Sequence, residues 1–261
     1  MIIDLRGYRA VVGGATRGLG LAAARQLAAS GATVTLMARN EHSLNEALAS
    51  LSSDAGQQHD YLQVDYLDFI GFRQLTESFF SGKKVDILVN NTNGPKAGTV
   101  NEKTTEDFQE AFDLLFKTYH HLTQLLVPGM RSRGYGRILN VSSVSVKEPL
   151  PNLVLSNSIR TAVVSWAKSL ADAVASDGVT VNSILTGAFD TERIRELTQK
   201  QAQASGDTID ALLEARKASI PAGRFGDPKE YGYLLAFLAS PMAAYITGAS
   251  IPIDGGAIKS L

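Results

Sequence analysis

Gly13-Gly14-Ala15-Thr16-Arg17-Gly18-Leu19-Gly20 is the stretch that decides the fold. It stands between a short β-rich run over 8–13 and an Ala/Leu-rich helical stretch over 19–30, which Gly31 ends. Glycines let the backbone turn tightly and come close to a pyrophosphate. The helix that follows offers free N–H groups and the positive end of its dipole to that anion. A strand, such a turn and a helix at the head of an alternating chain form the context a dinucleotide-binding turn requires. The plainer alternative is a tight structural turn with no ligand.

Outward from the turn, strand-like and helix-like segments alternate along the chain. Strands are expected over 8–13, 32–38, 61–64, 85–90, 137–141, 179–185 and 250–253. Helices are expected over 41–51 and where Phe72, Leu75 and Phe79 share a face. Another follows Phe108, Phe112, Leu115, Tyr119, Leu122 and Leu126 in +3/+4 steps, and a fourth covers 153–176 with Val163, Ala167, Leu170 and Val174 on one stripe. Helices between strands make crossover connections. The expected class is therefore α/β: a single-domain Rossmann fold, with a doubly wound, mostly parallel seven-stranded sheet and helices on both faces. A length of 261 residues suits one such domain. Residues 191–218 are polar, helix-favouring and too long for a simple connection, so they are expected to form a substrate lid.

The net charge of -1 provides no basic field for nucleic acid or an anionic membrane. There is no cysteine, which excludes disulfides, thiolate catalysis and cysteine-held metal. His42, His59, His120 and His121 lack ligand spacing, so no metal is expected. No apolar run approaches the roughly 20 residues of a membrane helix. The opening Met1-Ile2-Ile3-Asp4-Leu5-Arg6 has no long apolar stretch of the signal-peptide kind. A soluble, cytoplasmic protein is expected.

The second strand indicates which dinucleotide is held. NAD-binding turns place an acidic residue at its end, to hold the ribose hydroxyls. Here that position is Ala38, followed by Arg39. A missing carboxylate beside a guanidinium suits a 2′-phosphate, and Arg17 in the turn can reach the same group. NADP(H) is expected ahead of NAD(H).

These residues resemble the short-chain dehydrogenase/reductase family, and within it the β-ketoacyl-carrier-protein reductase branch, over essentially the whole chain. The landmarks are Gly14, Gly18 and Gly20; Asp65; Asn90-Asn91; Ser142-Ser143; Asn182; Gly187; Thr191; Ile246-Thr247-Gly248; and Asp254-Gly255-Gly256. The resemblance implies that Gly14, Thr16, Arg17, Gly18, Leu19, Gly20, Arg39, Asp65, Asn91, Arg160, Gly187 and Thr191 bind the cofactor. Asp65 would meet the adenine amine, Asn90 would support the cofactor strand, and Thr191 would meet the nicotinamide amide. It also implies a homotetramer, built through the helices over 104–131 and 153–176 and the Asp254-Gly255-Gly256 end.

The family reduces carbonyls with Ser, Tyr and Lys, assisted by Asn. Ser143 matches the serine. Thirteen residues on, the tyrosine position holds Ser156, the lysine position holds Arg160, and the asparagine position is Leu115. A serine hydroxyl is a far poorer general acid than a phenol near pKa 10. Arg160 can bind ribose and place charge near a developing alkoxide, but it stays protonated and shuttles nothing. The candidate catalytic set is therefore Ser143, Ser156 and Arg160. Lys147 is a further possibility, against its plain reading as a solvated lysine beside Glu148. Tyr119, one turn beyond Leu115, has a plain reading in the core or an interface.

Three functions compete. One is an NADP(H)-dependent oxidoreductase acting on a carbonyl or alcohol, 3-oxoacyl-reductase-like, with altered proton delivery. The second is a non-catalytic NADP(H)-binding sensor or scaffold. The third is a cofactor-free lyase or dehalogenase, disfavoured by the intact glycine turn. Apolar residues near 150–155 and in the lid suggest a small-molecule substrate with apolar or acyl character.

Overall fold

In β1 (Arg9–Gly13) every residue after Arg9 is buried, as expected of a central strand covered on both faces. It lies between β2 (Thr33–Ala38) and β4 (Ile87–Asn90), and pairs with both in parallel. The computed structural model describes residues 2–260. Its sheet also contains β3 (Asp60–Gln63), β5 (Gly136–Ser143), β6 (Val179–Thr186) and β7 (Ser250–Ile253). The seven strands run in the order β3-β2-β1-β4-β5-β6-β7, and every pairing is parallel, including that of β7. The strand order reverses between β1 and β4. Ligands of open parallel sheets sit at such a switch point, beyond the strands' C-terminal ends.

Helices cover both faces. On one side lie α1 (Gly18–Ala29) and α2 (Glu41–Ala49), joined by α9 (Pro228–Ala239). On the other lie α3 (Phe69–Phe80), α4 (Thr105–Phe112), α5 (Thr118–Ser132) and α6 (Val154–Val174). Sequence periodicity had not singled out α9, although its start is marked. Asp227 and Glu230 form a capping box with Pro228 in the first turn, and Tyr231, Leu235 and Leu238 fill the core. Gly232 lets α9 approach α1, since a Cβ there would stand 2.9 Å from the Ala22 carbonyl oxygen.

Two helical stripes differ from the expected ones. In α3 the buried set is Phe72, Thr76 and Phe80, while Leu75 is exposed. Thr76 returns its hydroxyl to the Phe72 carbonyl and also meets His121 Nε2, so a threonine faces inward. Between α4 and α5 the helix widens to a π turn over Asp113–Lys117, with Thr118 Oγ1 donating to the Asp113 carbonyl at 2.9 Å. The wider turn shifts the stripe, burying Leu114 and Leu115 and leaving Phe112 exposed. Phe112 stacks on Phe116 instead, at 5.1 Å between ring centres.

After β6 come α7 (Glu192–Ser205) and α8 (Ile209–Ala218), the two helices of the 191–218 segment. Among the described residues no helix is long and apolar enough to cross a membrane.

Asn182 on β6 pins the approach to β7. It donates from Nδ2 to the Ile246 carbonyl at 2.7 Å and accepts from the Ala249 N–H at 3.1 Å. Asn182→Ala should lower the unfolding free energy by about 1–3 kcal/mol, because both backbone groups lose a buried partner. Urea denaturation measures this; an unchanged midpoint would contradict it.

Candidate active site

The turn after β1 closes because its glycines have no Cβ. A Cβ on Gly20 would stand 2.2 Å from the Gly14 carbonyl oxygen, and one on Gly13 would stand 2.2 Å from the Asn91 carbonyl oxygen. Gly14 and Gly18 adopt φ of +54° and +55°, a conformation that favours glycine. Asn91 Nδ2 donates to the Gly13 carbonyl at 3.0 Å, so the loop after β4 braces the turn. Tyr66 braces it from the other side, accepting from the Gly14 N–H at 3.2 Å and donating to the Met37 carbonyl at 3.3 Å. Burial pushes the Tyr66 phenol far above its ordinary pKa, so it remains a donor. No side chain caps α1: Arg17, its N-cap residue, makes no side-chain capping bond. The N–H groups of the first turn therefore keep the anion-binding capacity of an open helix N-terminus. Thr16 and Leu19 flank the glycines there, both half-buried.

Arg17 points across the cleft. Its guanidinium pairs with Glu192 at 2.7 Å and Glu196 at 2.9 Å, both on α7. Thr191, at the head of α7, lies against Gly18, its methyl 3.7 Å from where a Cβ would be. Arg193 reaches the Pro95 carbonyl at 3.5 Å. The first turn of α7 thus spans the space between the glycine turn and the loop after β4. Gly187 permits close passage of the chain after β7, since a Cβ there would meet the Asp254 Cα at 2.7 Å.

Arg39 and Asp65 lie at the exposed ends of β2 and β3. The Arg39 carbonyl accepts from Gln63 Nε2 at 2.9 Å, and the Asp65 carboxylate accepts from the Leu67 N–H at 3.0 Å. Asn90 is turned inward, donating to Asn140 Oδ1 at 2.8 Å and Thr123 Oγ1 at 3.2 Å in a buried polar layer.

A second group gathers at the end of β5. Ser143 Oγ accepts from the Ser145 N–H at 3.1 Å, which leaves its own hydrogen to donate elsewhere. Arg160 on α6 is buried, with its Nε donating to Ser156 Oγ at 3.2 Å and Nη1 donating to the Val141 carbonyl of β5. Both partners are neutral, so the guanidinium keeps its positive charge for whatever arrives. Burial pushes the Tyr119 phenol above its ordinary pKa, and the positive charge of Arg160 opposes that rise. Leu115 is wholly buried, in keeping with its reading as core. Lys147 is exposed just past a short helical turn over Val144–Val146. Its neighbour Glu148 is committed elsewhere, accepting from the Lys259 and Ser260 N–H groups at 2.8 and 2.9 Å. Those bonds hold the Glu148 carboxyl below its ordinary pKa.

A sequence profile described as Enoyl-(Acyl carrier protein) reductase matches residues 14–257. The 3-oxoacyl-(acyl-carrier-protein) reductase of Vibrio cholerae is 32% identical over 255 residues, covering 97% of this chain and 98% of that protein. The chain belongs to the short-chain dehydrogenase/reductase family. The L-sorbose reductase of Gluconobacter frateurii, solved with NADPH and L-sorbose, superposes with a TM-score of 0.92 at 32% identity, covering 100% of both chains. A 3-oxoacyl (acyl-carrier-protein) reductase of Agrobacterium tumefaciens, solved with NADP bound, gives a TM-score of 0.87 at 26% identity, covering 98% of this chain and 96% of that one.

In this short-chain dehydrogenase/reductase, sequence reasoning had missed Tyr66. It carries no motif of its own and acts through contacts far away in the chain. The one available signal for Tyr66 was an aromatic residue directly after Asp65, at a strand end facing the turn. Tyr66→Phe should destabilise the protein by about 1–2 kcal/mol, because the Gly14 N–H loses its partner. Thermal or urea unfolding of the variant checks this, and wild-type stability would contradict the bracing role.

Proposed function

We propose that the protein is an NADP(H)-dependent oxidoreductase interconverting a carbonyl and an alcohol, with a 3-oxoacyl-like or other small-molecule substrate. On this reading Ser156 and Arg160 stand where relatives carry tyrosine and lysine. The observation that carries it is the buried Arg160 guanidinium, fixed between Ser156 and β5 with the Ser143 hydroxyl at the same strand end. A cation in a largely dry site with only neutral partners suits an oxygen that gains negative charge during reaction. The sensor or scaffold alternative gives no reason for such a placement.

The residues present fit the cofactor. The uncapped head of α1, with Gly14, Thr16, Gly18, Leu19 and Gly20, would hold the pyrophosphate. Asn91 would keep the turn in shape, and Asp65 would meet the adenine. Arg160, Gly187 and Thr191 would line the ribose and nicotinamide end. Arg39 and Arg17 would take the 2′-phosphate, with no carboxylate at Ala38 to oppose it. Arg17 would exchange Glu192 and Glu196 for that phosphate, which links cofactor binding to the lid over 191–218.

When bound, NADPH supplies hydride to the carbonyl carbon. Ser143 and Ser156 each accept a hydrogen bond within the protein, from the Ser145 N–H and Arg160 Nε. Each hydroxyl hydrogen is therefore free to donate to the carbonyl oxygen and orient it. Arg160 lays positive charge beside that oxygen as negative charge builds. It cannot release its own proton, so the proton reaches the alkoxide from solvent, by way of the serine hydroxyls. Lys147, next to this loop, is an auxiliary cation at the entrance. The protein is cytoplasmic; it is also a homotetramer, a reading supported by the exposed Phe112, which stacks on the half-buried Phe116 beside Trp166 of α6.

NADPH oxidation followed at the nicotinamide absorbance, against 3-oxoacyl thioesters, ketoses and simple ketones, tests the reading. Turnover on one class should fall on the order of 10²-fold in Arg160→Met and in Ser143→Ala. NADPH binding without turnover across the panel would favour the sensor instead.

A further inference from the structure

Beyond β7 the chain bends back over the C-terminal edge of the sheet. Asp254 shapes the bend: its carboxylate accepts from the Gly256 N–H at 2.9 Å and the Ile258 N–H at 2.8 Å. Gly255 and Gly256 supply the change of direction, with φ of +65° and +84°. The bend rests on the residues that follow α8, at the foot of the 191–218 segment. The Gly255 carbonyl accepts from the Ala222 N–H at 3.0 Å, and a Cβ on Gly255 would stand 2.8 Å from Ile220 Cγ2.

Directly after Ile258 the same segment meets the loop that follows Ser143. Glu148 Oε1 accepts both the Lys259 and the Ser260 N–H, at 2.8 and 2.9 Å. Two backbone donors converging on one carboxylate oxygen make charge-assisted bonds, stronger than neutral ones. The rest of that loop is fixed by other means. Its start is held by the Ser145 N–H on Ser143 Oγ and by the Lys147 and Glu148 N–H groups on the Val144 carbonyl. Its far end is held by Asn157 Nδ2 on the Leu150 carbonyl at 2.9 Å and the Gly98 N–H on the Asn152 carbonyl at 2.8 Å. Ser143 therefore keeps its place without Glu148. What the carboxylate adds is a link from this loop, through 254–260, to Ile220 and Ala222.

We propose that Glu148 is a positioning residue: by gripping two backbone N–H groups of the segment after β7, it ties the loop over 144–153 to the foot of the lid and sets the width of the substrate cleft between them. This rests on the reading that the substrate oxygen sits at Ser143. A long acyl substrate reaches both walls and feels the tie. A small ketone, which reaches only the serine hydroxyls and Arg160, does not.

Glu148→Ala removes the tie, while Glu148→Gln keeps an acceptor oxygen in the same place. Hydrogen–deuterium exchange over 254–260 of the nucleotide-free protein reads the contact without any turnover. Exchange there should rise about tenfold in Glu148→Ala and stay within about twofold of wild type in Glu148→Gln. In the active enzyme the KM for a long-chain 3-oxoacyl thioester should rise about fivefold in Glu148→Ala, because the cleft has its binding width only part of the time. The kcat, the NADPH dissociation constant and the KM for a small ketone should stay within about twofold. Glu148→Gln should restore the thioester KM. If the wild type reduces no carbonyl, the proposed activity fails on its own account and the exchange measurement alone decides the tie. Unchanged exchange in Glu148→Ala overturns the proposal. So does an unchanged thioester KM in an active Glu148→Ala enzyme, an equal loss in the alanine and glutamine variants, or a matching rise in the NADPH dissociation constant.

Discussion

The closeness of two backbone segments governs everything at the C-terminal edge of the sheet. Gly20 must pass the Gly14 carbonyl and Gly13 must pass the Asn91 carbonyl, each at a separation that any side chain would block. That contact sets where α1 begins and leaves its N-terminus open. It also brings the loop after β4 beside the loop after β1, at the reversal of strand order. Tyr66 and Asn91 secure the turn from two sides, one by hydroxyl and one by amide. The anion-binding capacity of the helix start therefore follows from steric economy in the turn, while its one basic residue, Arg17, turns away to Glu192 and Glu196.

From this fixed edge the rest of the cleft takes its position. β5 and β6 run side by side, with Ser143 paired to Thr186, so the ends of both strands reach the same level. The loop beyond β6 leaves room at Gly187 for Asp254, which follows β7, and then delivers Thr191 and α7 to the glycine turn. On the proposed reading, the buried guanidinium of Arg160 changes what the site can do. A permanently charged fork stabilises negative charge and orients hydroxyls, while proton delivery passes to serines and water. The hydrogen-bond partners of that fork, Ser156 and the Val141 carbonyl, are neutral, which preserves its field.

Much of this was legible in the sequence, and the reasons are physical. All seven strands were placed to within two residues at their ends, because buried parallel strands are continuous apolar runs between turn signals. The glycine turn was legible because its chemistry is local. Side-chain registers in helices were less so. Thr76 replaced Leu75 on the inner face of α3 because its hydroxyl is satisfied within its own helix. The π turn over Asp113–Lys117 broke a periodicity that assumes a uniform pitch. The helix α9 was passed over despite Asp227-Pro228 and Glu230 at its start. The bracing by Tyr66 and the bond from Arg160 to the Val141 carbonyl join separate parts of the chain, and no spacing rule reaches them.

Isothermal titration of the purified protein with NADPH and with NADH tests the central claim most directly. The account predicts saturable binding of NADPH with clearly weaker binding of NADH, since the end of β2 offers a guanidinium and no carboxylate. Heats indistinguishable from dilution for both nucleotides would contradict it.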